Sequence, residues 1–255
     1  MQFVYGLLLA GVIAGGALRA HALSRSGALA ALIVGTITFA VGGWPATAVL
    51  FAFFLPSSLL SRIGKKRKRE LVDVGKQGAR DAWQVLANGG VATLALLVSA
   101  RFGAPASAAF AGAFAAASAD TWGTEIGTLA RGVPRSILTF RPLATGLSGG
   151  VTVQGTIAEI GGAAFVALVA AATGVAPFLP VFFGGIAGAL ADSILGASLQ
   201  ALRWCSKCER ACETDPHECG TPTAVRRGVA WFDNDAVNLS ATLCGAVLAA
   251  AVFFF

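Results

Sequence analysis

Apolar runs of membrane-spanning length follow one another along almost the whole chain. A transmembrane helix needs about 20 mostly apolar residues. Eight candidate spans emerge on that basis: 3–18, 27–42, 44–61, 82–100, 104–122, 155–173, 178–201 and 234–254. The runs are continuous rather than alternating, which argues against a transmembrane β-barrel. The sequence therefore predicts an all-α fold, a polytopic helical membrane bundle of seven or eight spans. The lower count applies if 27–42, short and Gly-rich, does not insert. Pro56, Ser57, Ser58 and Ser61 weaken 44–61, although a bundle tolerates buried Pro. Composition agrees. Of the 255 residues, 56% are apolar and 13% charged, against about 25% charged in a soluble domain. An ordinary soluble domain, a disordered chain and a disulfide miniprotein are thereby excluded. The expectation is one integral-membrane domain over 1–255.

Charge orients the bundle. Eighteen of the nineteen Lys and Arg residues fall in the loops after spans one, three, five and seven; Arg101 is the exception. The positive-inside rule makes those loops cytoplasmic and places both termini outside. No basic stretch precedes 3–18, so a cleaved signal peptide is not expected. The basic run Lys65-Lys66-Arg67-Lys68-Arg69 reads as a topology determinant that also touches anionic lipid heads. It has no interleaved aromatics, and a nucleic-acid partner is not expected. Small residues four apart, Gly11/Gly15 and Gly184/Gly188, suit close helix packing.

All thirteen acidic residues lie in the predicted cytoplasmic loops or in the span halves that adjoin them. A carboxylate near the interface can simply cap a helix or pair with Arg. Here, however, the polar residues form stripes at helical spacing. Gln77, Asp81, Gln84 and Asn88 lead into the fourth span. Ser118, Thr121 and Glu125 share one face at the end of the fifth, with Asp120 and Thr124 on the adjacent face. Thr152, Thr156 and Glu159 enter the sixth. Asp192, Gly196 and Gln200 lie in the seventh. Asp233, Asn234, Asp235 and Asn238 open the eighth. Carboxylates with amide neighbours suit Mg²⁺, which commonly bridges phosphates. The segment 145–152 holds Gly146, Ser148, Gly149 and Gly150 ahead of a helix start, a place where backbone N–H groups can meet an anion. Lys76, Arg80, Arg135 and Arg141 could neutralise phosphate charge. These parts read as a phosphoryl-handling site. No GxxxxGK[ST] or GxGxxG pattern is present, so neither common nucleotide-binding loop is supported.

Four of the five cysteines fall in the loop 202–233, as Cys205, Cys208, Cys212 and Cys219, with His217 among them. A reducing cytoplasmic loop disfavours disulfides, and Cys-x₂-Cys followed by His-x-Cys has the character of a structural zinc site. Cys205, Cys208 and Cys219 are the first three candidate ligands, and His217 or Cys212 is the fourth.

Several segments carry a family resemblance: Ser26-Gly-Ala-Leu-Ala-Ala, Gly42-Gly-Trp44, Ala79-Arg-Asp-Ala-Trp-Gln-Val-Leu-Ala-Asn88-Gly-Gly, Ala119-Asp-Thr-Trp-Gly-Thr-Glu125-Ile-Gly, Gly149-Gly-Val-Thr-Val-Gln-Gly155-Thr, Leu195-Gly-Ala-Ser-Leu-Gln200 and Asp233-Asn-Asp-Ala-Val-Asn238. In this order they resemble the integral-membrane family numbered 92 among domains of unknown function, which includes plant phytyl-phosphate kinase and animal transmembrane protein 19. The resemblance implies a prenyl-phosphate kinase. Such an enzyme uses a nucleoside triphosphate, with CTP the expected donor, and Mg²⁺ to phosphorylate an isoprenoid monophosphate such as phytyl or geranylgeranyl phosphate. On that reading Asp120, Glu125, Asp192, Asp233 and Asp235 are the catalytic Mg²⁺ ligands. Lys76, Arg80, Asn88, Thr121, Gly146, Ser148, Gly149, Gly150, Asn234 and Asn238 hold phosphate or orient ligands. The alternatives are a related CTP-dependent polyprenol kinase or lipid cytidylyltransferase, and a transporter of a phosphorylated metabolite.

Overall fold

The computed structural model describes residues 1–64 and 78–254. The basic run Lys65-Lys66-Arg67-Lys68-Arg69, together with Glu70, Asp73, Lys76 and Gln77, lies outside the described residues. The described helices are α1 (Gln2–Arg19), α2 (Arg25–Leu60), α3 (Ala82–Phe102), α4 (Ala104–Leu129), α5 (Val153–Ala172), α6 (Phe178–Ser198) and α7 (Asn234–Val252). All but α4 are long and apolar enough to cross a membrane. A helix satisfies its own backbone hydrogen bonds, which hydrocarbon cannot do for it. The chain is a polytopic helical membrane protein, as its apolar runs predict.

The segment 104–122, expected as a span, belongs to α4 and is the least lipid-like of the helices. It sits in the middle of the bundle, packed against α3, α5, α6 and α7. Phe110 and Phe114 are fully buried there, their rings edge to face at 5.3 Å. A helix surrounded by protein needs small residues for close approach more than an oily surface. The Ala-rich sequence of α4 supplies them. The Gly184/Gly188 pair of α6 also behaves as expected: a Cβ on Gly184 would lie 2.6 Å from the Gly245 carbonyl of α7. Gly11 and Gly15 of α1 do not, since neither closely approaches a neighbouring helix. Gly6, earlier in α1, is the closely packed one: a Cβ there would lie 3.0 Å from the Thr36 carbonyl.

The expected spans 27–42 and 44–61 are the two arms of α2. A straight helix of 36 residues would extend about 54 Å. Instead both ends of α2 meet Arg80. The Ser24 amide donates to the Arg80 carbonyl at 2.9 Å, and the Arg80 guanidinium donates to Ser61 Oγ at 3.0 Å. The chain reverses at Gly43, whose φ of 58° and ψ of −153° belong to a region essentially reserved for glycine. Pro45 starts the returning arm. Segment 27–42 is therefore one arm of a helix that folds back on itself.

Side-chain caps are also distributed unevenly. Ser24, Asp81, Thr152 and Asp233 cap α2, α3, α5 and α7, each accepting from a backbone amide in the first turn. Asp81 and Gln84 form a reciprocal capping box. The starts of α1, α4 and α6 have no side-chain cap. The capped starts are those that follow the basic loops, so capping, charge and carboxylates share one face.

That face is not purely helical, which amends the all-α expectation. β1 (Arg135–Ser136) pairs with β2 (Gly150–Val151). The cysteine-rich loop folds into an antiparallel sheet in the order β4-β3-β5, from β3 (Leu202–Cys205), β4 (Arg210–Cys212) and β5 (Ala224–Arg227). Spacing arguments tuned to helices do not see strands of two to four residues.

Candidate functional site

Four elements converge on a group of carboxylates at the charged face. Asp120 and Glu125 come from the last turns of α4, Glu159 from the second turn of α5, Asp192 from α6, and Glu213 from the loop after β4. Asp120 and Asp192 share a side-chain hydrogen bond, and Thr124 also bonds to Asp120. Glu125 lies close enough to act electrostatically on Asp120, Asp120 on Glu159, and both Glu159 and Glu213 on Asp192. Gly123 lets α5 come this near, because a Cβ there would lie 2.5 Å from the Glu159 side chain.

Glu213 is anchored from three sides. It accepts from the Ser148 amide and from Ser148 Oγ, both at 2.8 Å, and from Gln200 Nε2 at 2.8 Å. Burial pushes its carboxyl above the usual range, while Ser148, the nearby Arg227 and Gln200 oppose that shift. Gln200 is buried, and its Oε1 has no hydrogen-bond partner among the described residues. The Trp122 indole N–H, two residues after Asp120, likewise has none.

The expected residues fare differently. Asp120, Glu125 and Asp192 are brought together. Asp233 is exposed at the start of α7, and its Oδ1 accepts from the Asp235 and Ala236 amides, each at 3.1 Å. Asp235 is half-buried in the first turn of α7. Thr121 Oγ1 donates back to the Ala117 carbonyl at 2.8 Å, Asn88 Nδ2 to the Gln84 carbonyl at 2.9 Å, and Asn238 Nδ2 to the Asn234 carbonyl at 2.9 Å. The glycine loop before α5 already faces a carboxyl group, since the Ser148 donors are used by Glu213. Gly149 packs tightly on Ala197 of α6, while Gly146 turns the loop with a φ of 93°. Arg135 is exposed and donates to the Phe140 carbonyl at 2.9 Å, and Arg141 is exposed.

Arg80 connects this cluster to a second feature. Burial lowers its pKa, and the nearby Glu125 opposes the shift. Arg80 also lines an apolar cleft between α1, the two arms of α2 and the start of α3. Leu9, Ile13, Val34 and Phe51 are among its apolar lining, and Arg80, Gln84 and Asn88 form its polar end.

The cysteine loop brings four donors together. Cys205, Cys208, His217 and Cys219 place one ligand atom each within 4.8 Å of the others. Cys212 points elsewhere, with its Sγ 3.9 Å from the Thr214 carbonyl. Hydrogen bonding with Thr221, then with His217, pulls the Cys219 thiol down to about 5, while hydrogen bonding with Cys219 pushes that of Cys208 up to about 11.

Glu159, Glu213 and Arg227 were not among the site residues expected from sequence. Glu159 had a signal, its place in the Thr152/Thr156/Glu159 stripe. Glu213 and Arg227 had none, because the small sheet delivers them.

Comparison with known proteins gives the same class. The chain is 29% identical to Protein PGR of Arabidopsis thaliana, over all of this chain and 98% of that protein. It is 29% identical to an uncharacterised membrane protein of Methanocaldococcus jannaschii, over 92% and 87% of the two chains. A third relative, an uncharacterised membrane protein of Synechocystis, is 28% identical over 67% and 69%. No solved structure matches the chain. The model of the family described as integral membrane protein DUF92 matches residues 8–246, and the chain belongs to that family.

Proposed function

We propose that the protein is a prenyl-phosphate kinase. It moves the terminal phosphoryl group of a nucleoside triphosphate, with CTP the first candidate, onto a phosphate oxygen of an isoprenoid monophosphate such as phytyl or geranylgeranyl phosphate. The products are the prenyl diphosphate and the nucleoside diphosphate. The observation that carries the reading is a junction: a five-carboxylate cluster adjoins an apolar cleft, and Arg80 belongs to both. The cleft suits a hydrocarbon chain, and its Arg80, Gln84 and Asn88 end suits a phosphate head. Membership of an integral-membrane family supports a substrate that is itself a lipid.

Phosphoryl transfer asks a protein mainly for positioning and charge neutralisation. An all-oxygen donor set suits Mg²⁺, and two carboxylates in hydrogen-bond contact take a shared proton or a shared cation between them. Asp120, Asp192 and Glu125 would hold the ion, which would offset phosphate charge when bound. Asp235 is a further candidate, and Asp233 is assigned to the helix cap. Arg80 holds the acceptor phosphate. On this reading the site faces the cytoplasm, where the positive-inside rule puts the basic loops.

Product identity tests the reading. Purified protein with Mg²⁺ is offered prenyl monophosphates and the free alcohols with each nucleoside triphosphate, and the products are weighed by mass spectrometry. Prenyl diphosphate with nucleoside diphosphate is expected. Phosphorylation of the free alcohol alone would make it a polyprenol kinase. Release of pyrophosphate with a nucleotidyl lipid would make it a cytidylyltransferase. Either outcome overturns the proposal.

A further inference from the structure

We infer that Cys205, Cys208, His217 and Cys219 bind one zinc ion, which clasps the small sheet and thereby seats Glu213 in the carboxylate cluster. The donor chemistry points to zinc: three thiol sulfurs and one imidazole form a set characteristic of structural tetrahedral zinc sites. The spacing agrees. Zinc–ligand bond lengths put neighbouring sulfurs of such a tetrahedron about 3.8 Å apart, and sulfur and nitrogen about 3.5 Å apart. Cys205 and Cys219 Sγ lie 3.5 Å apart, and His217 Nδ1 lies 3.2 Å from Cys219 Sγ.

Backbone turns present all four. Cys205 ends β3, and the turn that follows brings Cys208 back toward it. His217 and Cys219 are only two residues apart, a tight spacing for two ligands. A turn closed by Gly220 N–H to the His217 carbonyl at 2.8 Å and His217 N–H to the Thr221 carbonyl at 3.0 Å makes it possible. Gly220 sits at a φ of 79°, which permits that turn. The sequence left His217 and Cys212 open as the fourth ligand. The geometry selects His217, because Cys212 is buried away from the group and turned toward Thr214.

The position of the clasp gives it a task. Its ligands bracket β4 and the residues after it, so the ion closes a loop with Glu213 inside. Glu213 is the carboxylate that reaches from this loop to Ser148 and Gln200 and acts on Asp192. The clasp stands independently of the kinase reading, because its ligands and its test involve no substrate.

The test is metal analysis of the full-length protein, purified in detergent without a polyhistidine tag or chelator. One zinc per chain is expected, released stoichiometrically to a colorimetric chelator when a mercurial titrates the thiols. Cys212→Ser keeps the zinc. Cys208→Ser and His217→Ala lose it, and limited proteolysis then cuts the 202–233 segment at least several-fold faster than in wild type. Because those variants could misfold, the wild-type stoichiometry decides. Protein without zinc, protein carrying a different metal, or zinc lost from Cys212→Ser but kept in His217→Ala would each overturn the inference.

Discussion

At the scale of residues, two carboxylates from different helices touch at the charged face. Asp120 and Asp192 are the pair, and on the proposed function they hold the ion. Asp120→Asn and Asp192→Asn should each lower kcat by roughly 100-fold or more while the thermal melt in detergent stays near wild type. Asp233 separates a structural role from a catalytic one. Asparagine also caps helices, so Asp233→Asn should leave turnover within a few-fold of wild type. Asp233→Ala should cost about 1 kcal/mol of stability, read as a lower Tm with little change in turnover. The first two carboxylates were legible in the sequence, because each belongs to a polar stripe on an apolar helix. Asp233 was legible only as acidic: its spacing to Asp235 and Asn238 looks alike for a ligand and for a cap. Glu213 and Arg227 were out of reach, since a sheet register and not a helical period carries them to the cluster.

At the scale of elements, α2 folds back on itself and walls the cleft beside it. The break at Gly43 was legible because the apolar run divides there into the expected spans 27–42 and 44–61. That the arms fold back onto a common residue was not, because Ser24, Ser61 and Arg80 are far apart in sequence. Gly43→Ala should cost about 1–3 kcal/mol, since φ there is positive and the conformation is close to glycine-only. A thermal melt in detergent checks this. The cleft makes a kinetic prediction. Ala31 lines it and is half-buried. Ala31→Phe should raise KM for geranylgeranyl phosphate by roughly tenfold and leave KM for the nucleotide unchanged. Equal rises in both constants would place the hydrocarbon chain elsewhere. α4 shows why hydropathy alone undercounts such a bundle. It is the helix most enclosed by protein, and its Ala-rich sequence is adapted to that and not to lipid.

At the scale of the whole molecule, the capped helix starts and the carboxylate cluster of the described residues lie where the basic loops meet the helices. That sidedness is legible in the order of charges along the chain, because cationic loops stay on the cytoplasmic side. An impermeant maleimide should label Arg101→Cys on intact cells and Arg131→Cys only after the membrane is opened. The opposite pattern would invert the bundle. The proposed function joins this face to a lipid substrate, and phosphoryl transfer by wild type and two variants decides it. Wild type, Asp120→Asn and Asp192→Asn are each incubated with Mg²⁺, geranylgeranyl monophosphate and a nucleoside triphosphate labelled in its terminal phosphate. Label is expected in geranylgeranyl diphosphate with wild type, and almost none with either variant. Transfer that is equally fast in all three, or no transfer from any nucleotide by folded wild-type protein, would contradict it.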